Sequence, residues 1–453
     1  MSGLSTKKIT VVGAGLAGSE CAWQLAQKGY QVELIEMRGQ TSTPAHKTDR
    51  FAELVCSNSF GSLTPTSAPA QLKWEAEKLN SLILSCAKKA YVPAGQALGV
   101  DRDLFAQLVT ESIRQHPRIS ISQKVVHSLD EIPRPAVIAT GPLTHDDLSR
   151  SLQEHFGGDF LYFFDAIAPI VDADSINMDI AWKADRYDKG TPDYVNCPLN
   201  KEQYVKLIEE IQNARKIEPK HFEITPFFEG CMPIEVMVER GPQTLRFGPM
   251  KPVGLTDPKT GRYPYAVVQL RQDNKEGTAY NMVGFQTRMA YGEQTRIFRL
   301  IPGLENAEFL KLGSIHRNLY INSPRLLNLD LSSKRDENLF FAGQITGVEG
   351  YFESTTIGLL VAHFLNRKIR GLPVEPPPRE SALGSLLQAI TDPTRAEHFQ
   401  PTNINFGLLP PLPLQDAPRD KVLKKQRQLD LAQKSLLTWL SSERTAALSE
   451  PSL

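Results

Sequence analysis

The stretch Lys8-Ile-Thr-Val-Val-Gly-Ala-Gly-Leu-Ala-Gly-Ser-Glu20 decides how this chain is read. Ile9 to Val12 have the composition of a buried strand and run directly into Gly13, Gly15 and Gly18. Beyond them Ala17, Cys21 and Leu25 recur every four residues, the period of a helix face. Each glycine has its own steric task. Gly13 permits a tight turn, Gly15 leaves room for a pyrophosphate, and Gly18 lets the helix lie close to the strand. The amides that open such a helix lack partners and sit at its positive end, so they attract phosphate. Gln31 to Ile35 reads as a second strand, and Glu36, 18 residues after Gly18, is placed to accept from ribose hydroxyls. Strand, glycines, helix, strand and acid in this order imply a dinucleotide turn, with contacts expected from Gly13, Ala14, Gly15, Leu16, Ala17, Gly18 and Glu36. Lys7 and Lys8 before a short apolar run also suit an export signal. Glu20, the glycine spacing and the lack of a small-residue cleavage site argue against one.

The 453 residues give room for two or three domains, and 41% hydrophobic with 23% charged residues is the balance of a folded globular chain. Lysine plus arginine (51) equals aspartate plus glutamate (51), so a nucleic-acid partner needs a local basic patch rather than a general field. The absence of a long apolar run leads us to expect no membrane partner. The five cysteines, at positions 21, 56, 86, 197 and 231, are odd in number and widely spaced. They imply no disulfide framework, no metal site and a reducing, cytoplasmic location.

Further along, Met37 to Arg50 is polar and irregular, and connections of that length inside an α/β unit usually serve function. Periodicity predicts helices over 72–89 and 101–115, and an apolar strand over Ala136 to Pro142. From about Asp185 the texture changes to tyrosine, proline and charge, with a helix expected over 201–216. A second nucleotide-sheet signal then appears in Asn338-Leu-Phe-Phe-Ala-Gly-Gln-Ile-Thr-Gly347, leading to a helix read from Ser354 and capped by Ser or Thr. Two such turns some 330 residues apart fit one FAD held across a discontinuous domain. The second turn adds Gly343, Gln344, Tyr351 and Thr355 as expected cofactor contacts. The expected fold is therefore α/β: a Rossmann-like FAD-binding domain over 1–185 and 305–373, an inserted α+β domain over 186–304, and a small C-terminal unit over 374–453. That last unit begins with a proline linker at 376–378 and contains a basic helix over 420–440.

With these stretches laid out, the chain resembles the bacterial folate- and FAD-dependent tRNA (uracil-5-)-methyltransferases. The likeness rests on Val12 to Glu20, Phe51-Ala-Glu-Leu-Val-Cys-Ser-Asn-Ser59, Phe228-Glu-Gly-Cys-Met-Pro-Ile-Glu-Val236, Leu245 to Gly254, Val283 to Thr287 and Ala342 to Tyr351. The glycine turn is common to many flavoproteins, whereas the two cysteine motifs and Arg246-Phe-Gly-Pro-Met-Lys-Pro252 are specific. The resemblance implies formation of 5-methyluridine at uridine 54 of the tRNA T loop. It also implies 5,10-methylenetetrahydrofolate as carbon donor, NADPH or NADH as reductant, and no obligate protein partner. A longer relative, the wobble-uridine carboxymethylaminomethyl-modification flavoprotein, is an alternative, as are an RNA-binding flavoprotein without methyl transfer and an oxidoreductase acting on a small molecule.

Methylating C5 of uracil requires a nucleophile that adds to C6 and makes C5 an enolate, and a base that removes the C5 proton afterwards. By resemblance, Cys56 and Cys231 belong to that centre. Cys231 is favoured as nucleophile and Cys56 as base, although the sequence alone leaves the order open. Gln344 stands where most flavoproteins of this fold carry an acid, so an amide contact replaces a carboxylate one. Tyr351 suits stacking on a flavin or folate ring and suits the core equally well. RNA contacts are expected from Lys88, Lys89, Arg246, Lys251 and the Lys421 to Lys434 helix, with Phe399 and Phe406 as stacking partners.

Overall fold

The computed structural model describes residues 8–41, 43, 45–158, 161–188, 191–217, 232–413, 415 and 417–448. Its first sheet is all parallel, in the spatial order Leu339–Phe341, Ala136–Ile138, Lys8–Val12, Gln31–Glu36 and Ile119–Gln123. The late strand pairs with Ala136–Ile138, in register Leu339 to Ala136, so the chain returns to its first sheet after a long excursion. Apart from the edge strand Ile119–Gln123, which alternates apolar and polar residues, the strands are mostly apolar and buried because helices cover a parallel sheet. Leu16–Gln27 and Tyr351–Ile369 are two of them, and they cross at a glycine: a Cβ on Gly358 would lie 2.2 Å from the Ala17 carbonyl oxygen.

The excursion forms a second, antiparallel sheet in the order Trp182–Lys183, Tyr194–Leu199, Ala266–Gln272, Ala279–Met282, Ile170–Asp172 and Phe309–Lys311. It has its own core, drawn from residues between Val171 and Ala307. The paired strands Leu161–Ala166 and Ile315–Tyr320 carry the chain in and out. Residues beyond the proline run belong instead to the first core: Leu383, Leu386, Leu436 and Trp439 pack there. Glu75 ties this end down by accepting 2.8 Å hydrogen bonds from the amides of both Ala382 and Leu383. Among the described residues no helix is long and apolar enough to cross a membrane.

Three local expectations need correction. The helix expected over 72–89 is two helices, Ala68–Lys78 and Leu82–Lys89. Asn80 takes a positive φ of 56° between them and Ser81 caps the second, a break that the continuous apolar period conceals. The late helix begins at Tyr351 rather than Ser354, and its cap is Gly350, without any side-chain cap hydrogen bond. The C-terminal helix extends over Lys421–Leu448 rather than ending at 440.

Candidate functional site: a glycine-lined cleft and a clamped cysteine loop

The cleft follows from the steric needs of the first turn. Gly13 takes a φ of +100°, and a Cβ on Gly18 would fall 1.8 Å from the Gly13 carbonyl oxygen, so strand and helix meet there without side chains between them. The place of a Cβ on Gly15 is open space, and the helix it caps has no side-chain cap hydrogen bond. The turn therefore offers both a vacant surface and a helix end suited to an anion. A cleft opens above it. Gly13, Gly15, Leu16, Ala17 and Glu36 line it from the early turn, and Gly343, Gln344 and Tyr351 line it from the late one. Three expected contacts, Ala14, Gly18 and Thr355, stand elsewhere. Gly18 lies beneath the turn, and Thr355 is buried with its hydroxyl donating to the Tyr351 carbonyl at 2.9 Å, whereas Ser354 faces the cleft. The Ala14 amide donates to Glu36 Oε2 at 2.7 Å.

Glu36 is held firmly. Arg38 donates through its amide and Nε to Oε1 and through a terminal nitrogen to Oε2, each at 3.0 Å. Burial pushes the Glu36 carboxyl up, but these bonds, the Arg38 charge and the Ala14 amide outweigh it and hold the group below the ordinary carboxylate value. His46, also on the cleft, is pulled down to about 4 by burial and by Arg38, and is neutral at neutral pH. Gln344 donates to Glu349 at 2.8 Å, so the amide that replaces the usual acid is itself oriented by an acid five residues on. These residues fit a dinucleotide flavin: a glycine cradle and helix end for the pyrophosphate, a fixed carboxylate for a ribose, and a second glycine turn at the other end.

The cysteine loop is attached to this turn. The Ala52 amide donates to the Ala14 carbonyl at 2.9 Å, and the Phe51 amide to the Thr110 hydroxyl at 2.9 Å. Cys56 and Ser57 give their amides to the Tyr351 phenol oxygen at 2.7 and 3.0 Å. Burial, followed by the neighbouring Cys56, pushes the Tyr351 phenol well above its usual range, so it stays protonated. Arg102 donates to the carbonyls of Leu54 (2.9 Å) and Cys56 (3.4 Å), and Lys311 donates to that of Val55 at 3.0 Å. From the second sheet, Arg271 reaches Asn58 at 3.1 Å and Ser57 at 3.2 Å, and Asp273 pairs with Arg102 at 3.0 Å. Residues from both cores and both glycine turns thus converge on the segment 52–58.

Sequence reasoning missed Arg102, Arg271, Asp273 and Lys311. A signal was present for two of them: Arg271 and Asp273 sit in and just after the apolar run Ala266 to Leu270, and charges there are buried only when paired. Cys231 and residues 228–230 of its motif lie outside the described residues. Cys21, Cys86 and Cys197 are buried, and burial pushes the Cys86 thiol up to about 11 and the Cys197 thiol to about 12. Phe399 is not available for stacking on RNA: it is 6% exposed and packs against Tyr320. Phe406 is covered by Lys425 at 5.0 Å, and Arg246 lies over the Tyr265 ring at 3.7 Å. His127, His145 and Asp147 gather side by side at the rim, where Asp147 also pairs with Arg150.

Comparison with known proteins agrees with this architecture. The model of the family described as glucose inhibited division protein A matches residues 8–373. The methylenetetrahydrofolate–tRNA-(uracil-5-)-methyltransferase TrmFO of Bdellovibrio bacteriovorus is 74% identical over 433 residues, covering 96% of this chain and 98% of the relative. The protein of the same name from Koribacter versatilis is 53% identical over 441 residues, covering 96% and 99%. Among solved structures, Aquifex aeolicus GidA in its form I crystal superposes with a TM-score of 0.65 at 14% identity, covering 95% of this chain and 76% of that one, a likeness of fold.

Proposed function

This chain belongs to the glucose inhibited division protein A family and groups there with the TrmFO methyltransferases, and from that premise we propose the reaction it performs. It is a folate-dependent tRNA (uracil-5-)-methyltransferase and a flavoprotein: it makes 5-methyluridine in tRNA, with 5,10-methylenetetrahydrofolate as carbon donor. Its target is uridine 54 of the T loop, NADPH or NADH supplies the electrons, and it works in the cytoplasm without an obligate protein partner. Bound in the cleft, FAD carries the reducing electrons. The division into 1–185 with 305–373, 186–304 and 374–453 is part of the same proposal; two separate cores support its outline, although the second core runs from Val171 to Ala307 and Leu383, Leu386, Leu436 and Trp439 pack in the first.

One observation carries the reading. Tyr351 lines the cofactor cleft and at the same time holds the amides of Cys56 and Ser57, so a half-buried thiol stands one side chain away from the flavin site. In the proposed sequence the Cys231 sulfur adds to C6 of the target uracil, and the electron pair of the C5–C6 double bond moves onto C5 and its carbonyl. C5 then bonds to the methylene carbon of the folate, the bond from that carbon to the folate nitrogen breaks, and two electrons with a proton, drawn from NADPH or NADH, complete the methyl group. Cys56 then takes the C5 proton, the double bond re-forms and the bond from C6 to the Cys231 sulfur breaks. Arg102 and Lys311 stand at the Cys56 loop, where negative charge on the base is opposed by fixed cations. Tyr351, kept protonated, positions the loop and takes no proton itself.

The test supplies unmodified tRNA, NADPH and folate labelled in its methylene carbon. Label at uridine C5 that depends on both co-substrates is the expected result. Label appearing at a wobble uridine, or none in RNA, overturns the reading.

A further inference from the structure

A second hollow lies away from the cofactor cleft. A groove of about 1070 Å³ opens where four helices end: Leu16–Gln27, Ala68–Lys78, Leu82–Lys89 and Tyr351–Ile369. The first of these starts at the cleft, and its 12 residues put the groove about 18 Å away at 1.5 Å per residue. Its lining carries Lys28, Lys78, Lys88, Lys89, Arg367 and Arg370 against one acid, Glu77, which pairs with Lys88 at 2.6 Å.

Basic residues in a last helical turn are ordinary, because they complement the negative helix end. Here they exceed that need. Four helix ends amount to about two negative charges at roughly half a charge each, so an excess of about three positive charges remains after Glu77 is counted. That concentration occurs in a chain whose formal net charge is zero. His363 inside the groove responds to it: burial, then Lys28 and Arg367, pull the imidazole down to about 3. A second observation points to an occupant. Trp439 lines the groove, is 7% exposed, and its indole N–H has no acceptor among the described residues. Trp439 belongs to the C-terminal helix, whose exposed Lys421, Lys424, Lys425, Arg427 and Lys434 lead away from the groove over about 27 Å at the same rise.

We propose that this groove and the basic side of the C-terminal helix form one track for the ribose-phosphate backbone of tRNA, holding it at a distance from the reacting uridine. The inference rests on the tRNA substrate proposed above. It joins Lys88, Lys89 and the C-terminal helix, separate in sequence, into a single surface. Trp439 supplies an N–H donor to a backbone oxygen, and the cations supply the counterion-release part of the affinity.

The experiment measures binding of unmodified tRNA by the full flavin-loaded protein as a function of salt, comparing the parent with Lys78→Gln/Lys89→Gln and Lys78→Arg/Lys89→Arg. Both lysines are exposed, so neither pair disturbs the core. The Gln pair is expected to bind roughly tenfold more weakly at low salt. Its plot of log affinity against log salt becomes shallower by about 1.5, at about 0.7 to 0.9 per lost contact. Flavin content stays as in the parent, and the Arg pair restores both affinity and slope. An unchanged slope and affinity in the Gln pair overturns the track. Failure of the parent to methylate tRNA, with the slope change still present, overturns the functional reading and leaves the track supported.

Discussion

The two glycine turns at the cleft face the same ligand but are built by different sterics. At the first, backbone meets backbone within six residues, since Gly18 covers the Gly13 carbonyl. At the second, helix meets helix across the length of the chain: Gly343 faces the Ala17 Cβ, 2.7 Å from where its own would stand, and Gly358 meets the Ala17 carbonyl. Ala17 is therefore the point where both turns are fixed. The first turn is a local solution that any window of sequence displays, and the second exists only once the chain has returned.

The sharpest way to break this comparison is to add one methyl group at each turn. Gly18→Ala is expected to give no folded, flavin-loaded protein, because a contact of 1.8 Å to backbone exceeds the ~1–3 kcal/mol of ordinary overpacking. Gly358→Ala should also lose flavin, read as the visible absorbance per mole of protein. Full flavin content in that variant would show that the helix crossing yields and only the first turn is obligatory. Next in size, Cys56→Ala should keep its flavin spectrum while methylation of tRNA falls by at least ~100-fold, the usual loss on removing a general base. Tyr351→Phe tests the link between turn and loop. It removes the oxygen that receives the Cys56 and Ser57 amides, and an unmet buried amide costs ~1–3 kcal/mol. About tenfold slower methylation with a lower melting temperature is expected.

The smallest effect concerns pH. Burial, with Arg102 and Lys47 nearby, pulls Lys311 down from 10.5 to about 8. Its charge is complete well below that value and is lost as pH rises through it. Methylation by the parent should thus fall a few-fold more between pH 7 and 9 than methylation by Lys311→Arg, which stays charged; superimposable profiles would remove Lys311 from the site. Stability moves the other way. The folded state binds fewer protons than the unfolded chain between about 8 and 10.5, so this lysine's contribution to stability rises with pH across that window.

These contrasts also explain what sequence could convey. The first turn was legible because each of its glycines answers a contact within a few residues, and Glu36 follows at a fixed interval. The return to the sheet was legible from Leu339 to Phe341 as a second strand-and-glycine signal. The break at Asn80 was not, because the apolar period continues across it while the direction of the chain changes. Gly350 as a cap was hidden by the better cap formers Ser354, Thr355 and Thr356 just beyond it. Arg102 and Lys311 escaped notice because each acts through carbonyls of residues 54–56, and a carbonyl has no letter in the sequence. Cys56 itself was found through its motif, while the clamp around it comes from four distant segments.

The crossing of Gly358 on Ala17 also sets when the cleft can exist during synthesis. Residues more than three hundred positions apart must touch before the second wall stands, and contacts of that separation form late. A chain stopped anywhere between Glu36 and Leu339 possesses the whole dinucleotide signature and none of the second wall. Flavin colour in this protein is therefore a signal that translation has passed the second glycine turn.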